Sequence, residues 1–226
     1  MQDVDAASPG GLGRMGRAER PRRRSRLVLA LRTAGLLLIA AGVAIGANLA
    51  WELWGTGLTT NRLQAELRPG FERRLGTRAP SHPTAQKVRV PGDAVAIIEI
   101  PRIDLDMVVV EGIDTVSLKK GPGHYADTAY PWQDGGRVGI AGHRTTYAQP
   151  FYDLDKMRKS DPIILATEYG TFRYVVTRTV ITDPSGILAS GRSVLEQTER
   201  PTLVLTTCNP KYSAAERLIV VADRVD

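Results

Sequence analysis

Thr202-Leu203-Val204-Leu205-Thr206-Thr207-Cys208-Asn209-Pro210 is an apolar, β-type run that ends on the only cysteine of a 226-residue chain. An unpaired cysteine usually fills space in a core, because it behaves as a small hydrophobe. Here it stands next to Asn209-Pro210, a turn signal, so the expected place is a strand tip. A second apolar run, Arg217-Leu218-Ile219-Val220-Val221, begins nine residues further on with a cation. Consecutive strands with a short connection are usually sheet neighbours. That pairing sets Cys208 and Arg217 at the same end of one sheet, and a thiol beside a guanidinium is a candidate nucleophile.

Outward from this pair, the chain reads as short strands separated by turns. Val95 to Ile100 precedes Pro101, and Leu105 to Val110 precedes Gly112. Arg137 to Ala141 follows the turn 133–136, and Pro162 to Ala166 and Thr171 to Ile181 flank a hairpin turn at Glu168-Tyr169-Gly170. Strands at this spacing predict an all-β sandwich or barrel. Helical periodicity is confined to short pieces near Thr115–Lys119 and Ser193–Gln197. About 138 residues, 89–226, form this domain, enough for one hydrophobic core without disulfides.

The N-terminal part is different. Residues 1–32 carry eight arginines against Asp3, Asp5 and Glu19, a balance of +5 out of the chain's net +6. The basic character therefore belongs to a tail, and the folded part lacks the basic stripe of a nucleic-acid-binding face. From Thr33 to Trp51 the chain has 19 uncharged residues, which as a helix span roughly 28 Å, close to a bilayer's hydrocarbon thickness. Arginines on one flank and Trp51 and Trp54 on the other fit positive-inside topology with an interfacial aromatic belt. A cleaved signal peptide is the alternative, but the run exceeds a 7–15-residue h-region. The organisation expected is a basic cytoplasmic tail (1–32), a transmembrane anchor (33–54), an extracellular stalk (55–88) and a domain outside the membrane (89–226). In the stalk, Leu58, Leu63, Glu66 and Leu67 suggest a short amphipathic helix ended by Pro69-Gly70, then an extended linker around Ala79-Pro80-Ser81-His82-Pro83.

An odd thiol in an oxidising compartment calls for intermolecular pairing or reactivity. Metal binding is not expected, since the chain has three histidines and one cysteine and none of them is paired at ligand spacing. A thiol with its ordinary pKa near 8.5 is only a few per cent thiolate at pH 7, so a nucleophile needs a base and a fixed positive charge. Arg217 supplies the charge. His82 (between prolines), His124 (in Gly121-Pro122-Gly123-His124-Tyr125) and His143 (after a strand, in Gly142-His143-Arg144-Thr145) compete for the base. Spacing leaves all three open, with His143 best suited to proton transfer by its strand-end position.

Thr206-Thr207-Cys208, Asn209-Pro210 and Arg217 together resemble the TLxTC…R signature of the sortase family, in the form seen in class E sortases of high-GC Gram-positive bacteria. Ala141-Gly142-His143-Arg144-Thr145 resembles that family's catalytic-histidine segment, and 118–125 its upstream loop. The resemblance covers roughly residues 90–226. It implies an eight-stranded sortase-type β-barrel with short helices, behind a single N-terminal transmembrane helix. The implied activity is a cysteine transpeptidase that cuts an LAxTG or LPxTG sorting signal between Thr and Gly through a thioester. It then attaches surface proteins to the cell wall, with an amine from a wall precursor or a pilin lysine as acceptor. By position, Cys208 is the nucleophile, His143 the general acid/base and Arg217 the oxyanion and substrate ligand, while His124 becomes a loop residue. Tyr125 is a candidate for reading the residue after the signal's leucine, or a packed loop aromatic. Thr207 is a candidate for substrate contacts, or a residue of β propensity only. The implied partners are surface proteins bearing the signal, the cell-wall precursor that supplies the amine acceptor, and the membrane; no cofactor, metal or nucleic acid is expected. A non-catalytic anchored β-domain, an adhesin or pilus component with a structural cysteine, is the competing reading. An L,D-transpeptidase fits worse, since it keeps histidine and cysteine adjacent.

Overall fold

The computed structural model describes residues 22–77, 90, 92–187 and 194–225. It divides into two units, residues 1–47 and 48–226. In the first, the described residues belong to helix α1 (Arg22–Ala50). Its apolar side chains, among them Leu36, Leu37, Leu38 and Ile39, are exposed, and the helix has the length and hydropathy of a membrane span.

The second unit opens with a π-helical turn (Trp51–Gly55) and helix α2 (Thr56–Glu72). Eight strands follow: β1 (Ala94–Ile100), β2 (Leu105–Glu111), β3 (Gly123–His124), β4 (Arg137–Ala141), β5 (Pro162–Thr167), β6 (Gly170–Thr182), β7 (Thr202–Asn209) and β8 (Glu216–Arg224). They close into a barrel in the order β1-β2-β3-β4-β7-β8-β6-β5. Two neighbours, β2–β3 and β4–β7, run parallel. One-turn helix α3 (Thr115–Leu118) is capped by Asp114, whose side chain accepts from the Val116 and Ser117 amides. The eight-stranded barrel and the strand runs agree with the sequence reading. The two-residue β3 has no periodic signal and was not expected. Near 193–197, residues 194 and 195 form a turn rather than a helical piece, and Ser193 lies outside the described residues.

Alternation sorts the side chains of the strands that matter most. Leu203 and Leu205 of β7, Leu218, Val220 and Ala222 of β8, and Val138 and Ile140 of β4 point into the main core, with Ile98, Ile100 and Leu165. The intervening residues face outward. Val204, Ile219 and Val221 are nevertheless buried, under Val194 and Leu195. With both faces covered, β7 reads as a continuous apolar run rather than an alternating one.

The stretch read as a stalk begins as part of the domain. Helix α2 runs through Pro69-Gly70 to Glu72 and packs on the barrel, with Phe71 fully buried among Ala94, Ile97 and Val108. Tertiary anchoring overrides the proline's missing bond. The docking face is a polar stripe at i, i+4 spacing: Thr56, Thr60, Gln64 and Arg68. Gln64 donates Nε2–H to Val108 O at 2.9 Å and accepts Val108 N–H on Oε1 at 2.7 Å. This serves the β2 backbone where β3, paired only to Val110 and Glu111, does not reach. Residues 78–89, which hold the expected extended linker, lie outside the described set.

Candidate active site

The β7–β8 ladder is antiparallel and pairs Cys208 directly with Arg217. Opposed residues project to the same face with Cβ atoms about 4.5–5.5 Å apart. Alternation puts that face outside the barrel. On the other side of β7, the parallel ladder with β4 matches Ala141 to Thr206. It is prolonged by Gly142 N–H, which donates to Thr206 O at 3.0 Å. Two residues further on both strands, His143 comes level with Cys208. Cys208 lies on β7, Arg217 on β8, and His143 two residues past the end of β4, the three strands being adjacent in the barrel.

Cys208, His143 and Arg217 are all half-buried, which gives reach to a substrate without full solvation. Burial pushes the His143 imidazole below its ordinary value of 6.5, because the charged form loses hydration. The Arg217 guanidinium donates through Nη1 to Ala214 O and Glu216 O, both at 2.9 Å. This fixes a permanent positive charge at the strand tip.

Tyr125 lies over the same outer wall. Its hydroxyl shares a 2.9 Å hydrogen bond with Thr206 Oγ1. Burial pushes its phenol up, and Arg217 and Cys208 are both close enough to act on it. Gly139 makes room, since a Cβ there would meet the Tyr125 ring at 2.9 Å. Thr207 has the opposite orientation: it is buried, one residue out of phase with Cys208, and donates its hydroxyl to Gly142 O at 2.8 Å. Its hydroxyl proton is thus spent inside the protein rather than on a substrate, and the bond fixes the residue just before His143.

His124 is not the loop residue expected. It forms β3, is 1% exposed, and sets Nδ1 3.3 Å from both carboxylate oxygens of buried Glu111, with Nε2 3.0 Å from Ala129 O. Its ring stacks on Tyr130. Both nitrogens are engaged in holding the 123–130 segment. His82 lies outside the described residues. Among those described, no group of three His, Cys, Asp or Glu could hold a metal ion.

Arg144 is the site residue that spacing could not assign. Its side chain is 4% exposed, yet it is charged at any working pH. Nη1 donates to Cys208 O at 3.2 Å and to Asn209 Oδ1 at 2.6 Å, and Nη2 pairs with Asp155 at 3.1 Å. One guanidinium therefore ties the histidine segment to the backbone of the cysteine. A buried arginine with long-range partners leaves no periodic trace in sequence.

A family model described as the sortase domain matches residues 98–225. The chain belongs to the sortase family. Sortase D of Bacillus subtilis is 32% identical over 84% of this chain and 96% of its own length. Sortase SrtE1 of Streptomyces coelicolor, a class E member, is 29% identical over 93% of this chain; the match spans 61% of that longer protein. Among solved structures, the Clostridium perfringens sortase D5 transpeptidase superposes with a TM-score of 0.62 at 26% identity, covering 73% of this chain and 99% of that one. Sortases are cysteine transpeptidases that act on substrates bearing a sorting signal, so the chain is an enzyme of that kind.

Proposed function

We propose that this sortase is anchored by α1 with its N-terminus in the cytoplasm and its barrel outside, where it cleaves an LAxTG- or LPxTG-type signal between Thr and Gly and joins the protein to the cell wall. The Cys208 sulfur attacks the threonine carbonyl carbon, and Arg217 stabilises the oxyanion that forms. The C–N bond then breaks as His143 gives its proton to the leaving glycine amine, and a Cys208 thioester remains. An amine from a wall precursor or a pilin lysine attacks the thioester carbon. His143 takes its proton, and the sulfur leaves. Tyr125, on the same wall, lines the groove for the signal.

The observation that carries this reading is the register that sets Cys208 opposite Arg217 while bringing His143 level with it. The arginines at and before the N-terminal end of α1, and Trp51 and Trp54 after it, support the topology. A half-buried thiol at a strand end fits the adhesin-like alternative poorly, because a structural cysteine belongs inside the core. The test is a pair of peptides differing only in Ala or Pro at the second signal position, given with a small amine acceptor. Cleavage after threonine with amine-dependent product is expected, faster for the alanine peptide. Failure of both peptides to be cut would contradict the reading.

A further inference from the structure

The segment that carries His143 is not held by the barrel alone. After β4 the chain places three consecutive residues in the left-handed region: Tyr147 (φ 52°), Ala148 (φ 60°) and Gln149 (φ 52°). None is glycine, and each brings its Cβ into an unfavourable contact with its own backbone. Such a run persists only where the surroundings over-determine it. Within the turn, Gln149 N–H donates to Thr146 O at 2.9 Å.

Further restraint comes from the helical segment that precedes the domain. Tyr147 N–H donates to Thr56 Oγ1 at 3.1 Å, and Gln149 Nε2 donates to Leu53 O at 3.4 Å. Thr56 is buried and donates its own hydroxyl proton to Glu52 O at 2.8 Å. That leaves its lone pairs for the Tyr147 amide. The two backbones run side by side here: a Cβ on Gly57 would sit 3.6 Å from Ala148 N, an ordinary van der Waals contact. One turn on, Thr60, fully buried, donates to Lys119 O at 2.8 Å. The Lys119 ammonium lies 5.8 Å from the centre of the Tyr147 ring. That ring in turn packs 4.8 Å from the His143 imidazole. Two residues of one helix face thus act on Tyr147, one on its backbone and one through the cation over its ring. The long-range hydrogen bonds of the rest of the stripe, Gln64 and Arg68, go to Val108 and Asp106 of β2 and to the 120 carbonyl.

We infer that α2 braces the catalytic histidine, and that Thr56 is a positioning residue for transpeptidation: by accepting the Tyr147 amide it keeps Tyr147 in the strained form that packs against His143. The inference rests on the reading of His143 as the acid/base. It makes the helix next to the membrane anchor a working part of the site rather than a tether.

The experiment uses the full chain in lipid nanodiscs, with a sorting-signal peptide and an amine acceptor. Thr56→Val keeps the shape and removes the acceptor atom. It is expected to lower kcat about tenfold, as a small misplacement of a reacting group does, with KM within twofold. Thr56→Ser keeps the hydroxyl and is expected to restore kcat. Gln149→Ala removes a single bond on the half-buried turn and lowers kcat about threefold, which keeps the test available should Thr56→Val fail to fold. Wild-type kcat in folded Thr56→Val or in Gln149→Ala, or equal loss in Thr56→Val and Thr56→Ser, would overturn the brace. His143→Ala is measured alongside. If it retains kcat, the acid/base reading fails; if it is inactive while folded Thr56→Val keeps wild-type kcat, only the brace fails.

Discussion

Cys208 and His143 reach the same wall of the barrel by different physical routes. The cysteine and Arg217 sit within a continuous antiparallel ladder that runs from Thr202–Asp223 to Asn209–Glu216. Backbone hydrogen bonds set their separation, and the core residues on alternate positions set their face. The histidine lies past the end of β4, where ladder bonds stop. Besides the backbone bonds from Gly142 N–H to Thr206 O and from Phe151 N–H to His143 O, its segment is held by side chains: Thr207 on Gly142 O, Arg144 on Cys208 O, and Thr56 on Tyr147 N–H. Cys208 is thus placed by local architecture, whereas His143 is placed by contacts distant in sequence. Regions of the second kind open at lower free energy than core strands, which suits the acid/base role proposed for His143.

The sharpest way to break this contrast is at the ladder. Arg217→Ala should lower kcat about 10²–10³-fold, the usual cost of losing an oxyanion donor, with little change in thermal stability because its partners are carbonyls of the exposed residues Ala214 and Glu216. Arg217→Lys keeps a charge but not the fork, so only partial recovery is expected. Steady-state kinetics with a peptide substrate check both. Full activity in the alanine variant would mean that the ladder positions no catalytic charge.

At the junction of the two regions, Arg144→Gln should act on both. Losing charge-assisted bonds costs about 2 kcal/mol, or roughly 4–8 °C in Tm for a domain of this size. Because Cys208 O and the histidine segment lose their shared anchor, kcat should also fall about tenfold. A drop in Tm with unchanged kcat would make Arg144 a stabiliser only.

The smallest effect concerns the histidine itself. In Cys208→Ser, an NMR titration should place the His143 midpoint below 6.5, because burial lowers it. The unfolded chain then binds more protons than the folded one just below that pH, so this contribution to stability is present above 6.5 and lost as pH falls toward the folded midpoint. A midpoint at or above 6.5 would show a solvated or anion-paired ring.

The difference between the two regions also explains what could be read from sequence. The Cys208–Arg217 pair was legible because two adjacent apolar runs separated by a turn define their own register. The strand limits of β4 and β7 followed from the same apolar patterning and turn signals. The family resemblance, not spacing, separated His143 from His124. Spacing missed the burial of His124 because β3 is two residues long and its partner, Glu111, lies on another strand. Thr207 was read by its neighbourhood to cysteine, whereas the pleat turns it to the other face. Helix α2 was read as a stalk because most of its docking stripe, Thr56, Thr60, Gln64 and Arg68, is polar and leaves no hydrophobic period, while the buried Phe71 lies beyond Pro69-Gly70, a signal for a helix end.

In the proposed mechanism the Cys208 sulfur carries the acyl group. Intact-mass spectrometry of the full chain after brief exposure to an LAxTG peptide tests it directly. The expected result is an adduct equal to the peptide's N-terminal acyl portion through threonine, released by hydroxylamine and missing in Cys208→Ala. An adduct that survives in Cys208→Ala, or peptide cleavage by that variant at the wild-type rate, would contradict it.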